Sequence, residues 1–571
     1  MPYRAPIKEM AFYLDNVLDA GRLSATEKFA EATSEMTEAI LGEAARMSDE
    51  VLAPLNVAGD LHPAKLENGV ARCSPGFDGG YKAIAEGGWV GMAGDPEFGG
   101  MGLPLALTSC VGEMMSGACL SLALNPLMTQ GQIEALEHHA SDEIKALYLP
   151  KLNSGQWTGT MNLTEAGAGS DVGALRTKAE DNGDGTYAVT GQKIFISWGD
   201  HDVAENICHL VLARLPGAVA GTKGISLFLV PKFIPDENGN PGVSNNAAAI
   251  SLEHKMGLHG SPTAIMDFAG ATGWIVGSEG GGMAAMFTMM NNARIGVGVQ
   301  GLSQAEAATQ KALEYASERK QGRSPIEGGT GTILDHADVR RNIMMMKTLT
   351  SSARAIILDA AISTDLSKGL DGEAAQLQAA RAAFLTPIAK AFGTDTGCEV
   401  AEIGVQVHGG MGYIEETGAA QFYRDVRVTA IYEGTNGIQA MDMVGRKLMD
   451  GGVAAFALLN EISLTAAVAE STAPDLAAFL AGAEMSLNAA THWMVDAPMN
   501  DRFAGAVPFL RAFALALGGH YLLKAAMADA SRMPLARFHI RQTMQQVDAL
   551  CSAAREGASS LYALDAEALG A

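Results

Sequence analysis

The spacing of apolar residues divides the chain into successive textures. From about residue 5 to 155 they recur at three- and four-residue steps, as in ATEKFAEATSEMTEAILGEAARMSDEVLAPL. That is the spacing of a helix with one face turned to a core. From about 159 to 275 the chain breaks into short alternating runs separated by Gly, Asn and Asp: GTYAVTGQKIFIS, HLVLARL, GISLFLVPKF and AIMDFAGATGWIVG. Period-two alternation bounded by turn residues predicts strands. Helical spacing returns from about 279, through AMFTMMNNARIGVGVQGLSQAEAATQKALEYASERK. The pair Gly451-Gly452 then sets off a last segment rich in Ala and Leu. The predicted order is helices, an all-β insert, helices, and more helices.

That order excludes a Rossmann sheet, in which strands and helices alternate. It therefore disposes of one motif. Gly296-Val297-Gly298-Val299-Gln300-Gly301 matches GxGxxG, but it lies inside a helical pattern with no strand before it. Small residues that let two helices approach closely are the expected reading.

At 571 residues the chain is long enough for three or four domains. A net charge of -24 argues against general binding to nucleic acid or anionic membranes, while leaving room for a local basic site. Six scattered cysteines without a CxxC pair, and twelve histidines without HExxH spacing, predict neither a disulfide framework nor a metal site. No unbroken run of 18 apolar residues occurs and the N-terminus lacks a signal-peptide pattern. A cytoplasmic protein that does not span a membrane is expected.

Several polar loops stand out. MNLTEAGAGSDVGALRTKAE places Thr164, Ser170 and the Gly167-Ala168-Gly169 backbone on one tight loop, suited to a phosphate or the polar edge of a ring. IFISWGD ends a strand with Phe195, Ser197 and Trp198, residues that can wall a flat ring or simply close a strand. SERKQGRSPI carries Arg319, Lys320 and Arg323 at a helix C-terminus, where the dipole favours cations. GVQVHGGMGYIEE sets Gln406 and His408 before Gly409-Gly410, a pair that permits close backbone approach. RVTAIYEGTNGIQAMDM holds a single carboxylate, Glu433, after an apolar run and with no basic residue next to it in sequence.

Taken in order, LTEAGAGSD, ISWGD, ERKQGR, VQVHGGMGY and IYEGTNGIQ resemble the acyl-CoA dehydrogenase family, as do DPEFGGMGLP and LYLPKLNSGQWTG. The N-terminal MPYRAPIKEMAFYLDNVL and the tail around AVPFLRAFALALGGHYLLKAA resemble its long subclass. The resemblance implies an α+β multidomain fold. A helical extension (1–40) and an N-terminal α-helical domain (41–158) would precede a β-barrel or sandwich-like domain (159–278). A four-helix-bundle domain (279–450) and an extra helical C-terminal domain (451–571) would follow.

It also implies FAD as cofactor. By motif position Thr164, Gly169, Ser170, Phe195, Ser197, Thr435 and Asn436 would contact the flavin, with Arg319, Gln406, Gly409 and Gly410 reaching it across a subunit interface. Ser170, Asn291, Arg294 and Gly434 would lie on the acyl-CoA substrate, and Glu433 would be the catalytic base. Two positions depart from the family pattern. ERKQG lacks the usual aromatic, and Gly437 replaces a common glutamine. The implied reaction is α,β-dehydrogenation of an acyl-CoA to the trans-2-enoyl-CoA, with electron-transfer flavoprotein as acceptor and a homo-oligomeric enzyme. The subclass points to a 3-methylmercaptopropionyl thioester, and short or medium straight chains are the alternative. An acyl-CoA oxidase would share the chemistry. A DNA-associated relative would need a basic C-terminal domain, but residues 451–571 hold seven Arg/Lys against eleven Asp/Glu.

Glu433 is expected to have a raised pKa, because desolvation shifts reach several units while a helix terminus is worth under about 1 kcal/mol.

Overall fold

The structure is a computed structural model that describes residues 3–570, apart from the side chains of Asn291 and Asn292. Its first helical layer is organised on α1 (Leu105–His139), whose residues are buried along almost its whole length. Burial on all sides leaves no polar stripe, and the helix bends at Cys119, where φ -156 and ψ 90 leave the helical region. Asp365 caps the start of α1, accepting hydrogen bonds from Leu105 N–H (2.7 Å) and Ala106 N–H (2.9 Å). The region expected to be helical throughout contains a small hairpin, Lys65–Glu67 paired with Val70–Arg72. Its turn is Asn68-Gly69, both left-handed, the sequence that a tight hairpin turn favours. Three-residue strands are too short to register as alternation.

Seven strands form the main sheet of the middle domain, beside a small hairpin of Phe233–Pro235 and Pro241–Ser244: β1 (Trp157–Asn162), β2 (Lys178–Asp181), β3 (Tyr187–Ser197), β4 (Asn206–Arg214), β5 (Ile225–Pro231), β6 (Ala247–Leu252) and β7 (Thr263–Val276). Their pairing closes on itself. β7 pairs β3, β3 pairs β2, β2 meets β4 at Lys178–Arg214, β4 pairs β5, and β5 returns to β7. β6 is added beside β7, and β1 lies parallel to β4. Val189, Val211, Phe228, Met266 and Phe268 fill the interior.

The bundle follows: α2 (Gly282–Glu318), α3 (Ala337–Gly369), α4 (Gly372–His408), and the short α5 (Ala419–Val426) and α6 (Asn436–Asp442). The GxGxxG residues are a helix seam. A Cβ on Gly301 would lie 2.4 Å from the Gly393 carbonyl oxygen, and one on Gly397 would lie 2.6 Å from that of Gly301. Only glycines allow α2 and α4 this approach. Across the bundle, buried Arg354 of α3 pairs with Glu113 of α1 (2.6 Å) and Glu306 of α2 (2.8 Å).

Beyond the left-handed pair Gly451-Gly452 come α7 (Val453–Ala469), α8 (Pro474–Asp496) and α9 (Met499–Ala528). They are tied to the bundle by polar contacts. Arg381 reaches Asp359 (2.6 Å) and Glu461 (3.0 Å), Tyr521 also bonds Asp359, and Arg511 pairs with Glu399 (2.7 Å). The N-terminal extension lies against this same C-terminal segment. Arg532 makes a two-pronged contact with Glu9 (2.8 Å each) and lies 3.7 Å from the centroid of the Phe12 ring.

α1 and α9 are each long and apolar enough to cross a membrane, with mean hydropathy 1.4 over 18 residues. Those windows are 89% and 83% buried within the fold, so core packing accounts for their composition.

Candidate active site

Glu433 lies in a short turn between a 3-10 segment, Arg427–Ala430, and helix α6. Its φ of +54 is left-handed, an uncommon setting for a residue with a long side chain, and Gly434 continues the turn at φ +83. Thr435 caps α6, its hydroxyl accepting a hydrogen bond from Ile438 N–H at 3.4 Å. The turn is braced from several sides. Gln439 Nε2 donates to the Glu433 carbonyl at 3.0 Å, and the Tyr432 hydroxyl bonds Gln300. Lys390 Nζ donates to the Gly434 carbonyl (2.9 Å) and to Asn436 Oδ1 (2.9 Å). Asn436 Nδ2 in turn donates to Asp395 (2.6 Å) and Thr394 (3.0 Å). Both ends of the Asn436 amide are thus used within the chain. Among the described residues the Glu433 backbone N–H has no acceptor, so a donor is available beside the carboxylate.

Burial pushes the Glu433 carboxyl up to about 7, against the opposing pull of Arg294 and Lys390. The absence of a basic neighbour in sequence therefore does not extend to space. Arg294, expected on the CoA by motif position, lies in α2 near the Glu433 turn. It is 5% exposed, its Nη1 lies 3.3 Å from Asp442, and its charge acts on Glu433. Its guanidinium is enclosed beside the equally buried Asp442 carboxylate. Asn291 lies in α2, and its side chain is outside the described residues.

A second group forms on the β domain. The loop after β1 closes as a tight turn, with Glu165 N–H and Ala168 N–H each bonded to the other's carbonyl (3.1 and 3.0 Å). Its anchor is the Glu165 carboxylate, which accepts from Arg176 N–H (2.7 Å), Thr177 Oγ1 (2.6 Å) and the fully buried Lys193 (2.8 Å). Gly169 and Ser170 are left exposed, and no atom lies within 4 Å of where a Gly169 Cβ would stand. The Thr164 carbonyl accepts from Ile194 N–H at 2.9 Å, joining this loop to β3. There the ladder slips. Ile194 and Phe195 oppose Ile265 alone, between the pairs Lys193–Met266 and Ile196–Ala264. Such a bulge re-aims a side chain. Phe195, at φ +60, has its ring turned outward and 60% exposed. Ser197 is half-buried at the strand end, and Trp198, also left-handed, is enclosed and donates from Nε1 to the Ser121 carbonyl at 3.2 Å. An open glycine loop beside a presented aromatic ring fits a flat, polar-edged cofactor.

A third group sits at the far ends of α2 and α4. Arg319 is exposed at the C-cap of α2, bonded through its N–H to the Tyr315 carbonyl at 2.9 Å. Tyr315 stacks on His408 with ring centroids 4.5 Å apart, followed by exposed Gly409 and Gly410. Gln406 is exposed on the preceding turn. His408 is buried and held by the Gly404 carbonyl (2.7 Å). Among the described residues no hydrogen bond joins this group to either of the other two.

Lys390, Lys193, Gln439 and Asp442 escaped the sequence reading. Lys390 alone left a signal, as a single lysine in the apolar stretch TPIAKAFGT, since charge is almost never fully buried without a partner.

The chain belongs to the acyl-CoA dehydrogenase family. Family models described as acyl-CoA dehydrogenase N-terminal, middle and C-terminal domains match residues 34–156, 160–271 and 280–449. It is an oxidoreductase of FAD-dependent acyl-CoA dehydrogenation. Among its relatives, 3-methylmercaptopropionyl-CoA dehydrogenase of Ruegeria pomeroyi is 43% identical over 93% of this chain and 92% of its own length. A butyryl-CoA dehydrogenase of Syntrophomonas wolfei is 34% identical over 78% of this chain and 75% of its own. The solved acyl-CoA dehydrogenase of Bacillus anthracis complexed with FAD shares the fold, with TM-score 0.75 and 20% identity, covering 93% of this chain and 90% of that one.

Proposed function

We propose that Glu433 removes the α-proton of an acyl-CoA thioester in the step that converts it to the trans-2-enoyl-CoA. The observation that carries this is the placement of one carboxylate on a braced, left-handed turn, beside a backbone N–H that has no acceptor among the described residues. A base near neutrality is matched to carbon-acid chemistry at physiological pH. As the Cα–H bond gives its proton to Glu433, charge develops on the thioester oxygen, and the Glu433 N–H is positioned to donate to it. FAD, when bound, supplies the acceptor for the hydride that leaves the β-carbon. Thr164, Gly169, Ser170, Phe195, Ser197, Thr435 and Asn436 would hold it, with Asn436 contributing through its backbone because its amide is engaged inward. Phe195 would wall the ring, and Ser170 and Gly434 would also face the substrate.

The exposed group of Arg319, Gln406, Gly409 and Gly410 supports a homo-oligomer. Next to it Met411, Tyr413 and Ile414 are 47%, 88% and 46% exposed, a surface that a second copy would cover. That copy's cofactor would then meet Arg319. The relative from Ruegeria pomeroyi favours 3-methylmercaptopropionyl-CoA as the substrate, and electron-transfer flavoprotein would take the electrons onward. Comparing kcat/KM for sulfur-containing and carbon-only thioesters, with peroxide yield measured alongside, checks both.

Glu433→Gln should purify yellow, with FAD bound, yet lose bleaching by acyl-CoA about 10³-fold or more. Normal bleaching in that variant would remove Glu433 from the reaction.

A further inference from the structure

The Glu433 turn rests on a cation that the reaction itself does not consume. Lys390 has no solvent exposure, and its ammonium meets the Gly434 carbonyl and Asn436 Oδ1, each at 2.9 Å. Burying an ammonium against one carbonyl and one amide oxygen is poor compensation. A methionine of similar volume would pack α4 at lower cost. Helix packing alone therefore does not account for the residue.

The charged groups around it identify what it serves. Desolvation lowers the Lys390 pKa to about 8, Glu433 and then Asp395 raise it, Arg294 lowers it, and Cys398 raises it. Around Glu433 the charges are Arg294 from α2 and Lys390 from α4, both favouring the ionised carboxylate that burial disfavours. The two cations differ in their attachments. Arg294 is already paired with Asp442, whereas Lys390 holds the backbone of the turn itself. One side chain thus fixes the peptide that follows the base and faces the base with positive charge.

We propose that Lys390 is a positioning residue for Glu433. It pins the Gly434 carbonyl and the first residue of α6, so that the carboxylate keeps its direction, and it presents positive charge to that carboxylate. The proposal rests on Glu433 being the base.

The test follows flavin bleaching under anaerobic conditions across pH for the wild type, Lys390→Met and Lys390→Arg. The Met variant should retain FAD, bleach about 10²-fold more slowly, and have its acidic limb displaced upward by about one pH unit. The Arg variant keeps the charge, so its limb should stay with that of the wild type even where its rate falls. A uniform loss of rate in Lys390→Met, with the limb in place, overturns the proposal and leaves Lys390 as packing. An unaltered Met variant overturns it as well. Should the Met variant not fold, Lys390→Gln carries the same requirement, and an unmoved limb there is equally decisive. Glu433→Gln run in parallel separates the two claims. If it bleaches normally the base assignment fails, and if it does not, the Lys390 result stands on its own.

Discussion

Glu433 has two histories to reconcile, one electrostatic and one of backbone. Its carboxyl lies at about 7 in the fold against an ordinary 4.5, with burial as the cause and Arg294 and Lys390 opposing it. An acid whose folded pKa is raised destabilises the fold once ionised. The penalty is absent below about pH 4.5, grows as pH rises to about 7, and is constant above that, at up to about 3 kcal/mol. Glu433→Gln should therefore melt above the wild type at about pH 8, with the gap closing toward about pH 5. Scanning calorimetry at several pH values reads this directly, and a gap independent of pH would mean the carboxylate is as comfortable in the fold as in water. Glu433 drew notice in the sequence as a lone carboxylate between an apolar run and a Gly-Thr-Asn-Gly turn, and the ordered family motifs, not that local pattern, made it the proposed base. The groups that tune it were not legible there. Lys390 is 44 residues from Gly434 and Arg294 is 148 from Asp442, so only the folded chain puts those charges beside it.

At the scale of elements, the seam between α2 and α4 controls where that turn sits. Gly393 touches α2, and the next turn's worth of α4 includes Thr394 and Asp395, which hold Asn436. Gly301→Ala would place a methyl 2.4 Å from the Gly393 carbonyl oxygen and 2.5 Å from Thr394 Cα, contacts that only a helix shift relieves. The expected cost is about 1–3 kcal/mol of stability together with a lower kcat, measured by denaturant unfolding and steady-state rates. A Gly301→Ala protein with unchanged stability and kcat would show that the seam has slack. Apolar spacing located the strand-rich segment and the helices on either side, since each texture runs for many residues. It missed the Lys65–Arg72 hairpin, whose strands are three residues long. It also missed the bulge at Phe195, because a one-residue slip depends on the partner strand and leaves no trace in β3 alone.

Over the whole molecule, the chain's two ends hold each other. Arg532 joins the C-terminal segment to Glu9 and Phe12 near the N-terminus, half shielded from water, with its side chain 19% exposed and that of Glu9 39% exposed. Arg532→Ala removes a bidentate ion pair and a cation–π contact together, worth about 1–3 kcal/mol. The first sign should be faster proteolysis within residues 5–20 while bleaching by acyl-CoA stays intact, and equal loss of both would place the clamp in the catalytic unit.

Among the described residues six non-glycine positions have left-handed backbones, and Phe195, Trp198 and Glu433 are among them. A chain selected for heat resistance alone would drift toward glycine or asparagine at such positions, since those residues accept that geometry at less cost. At 195 that drift would erase the presented ring, and at 433 the proposed base. Directed evolution toward thermostability should therefore hold these codons fixed and seek its gains elsewhere.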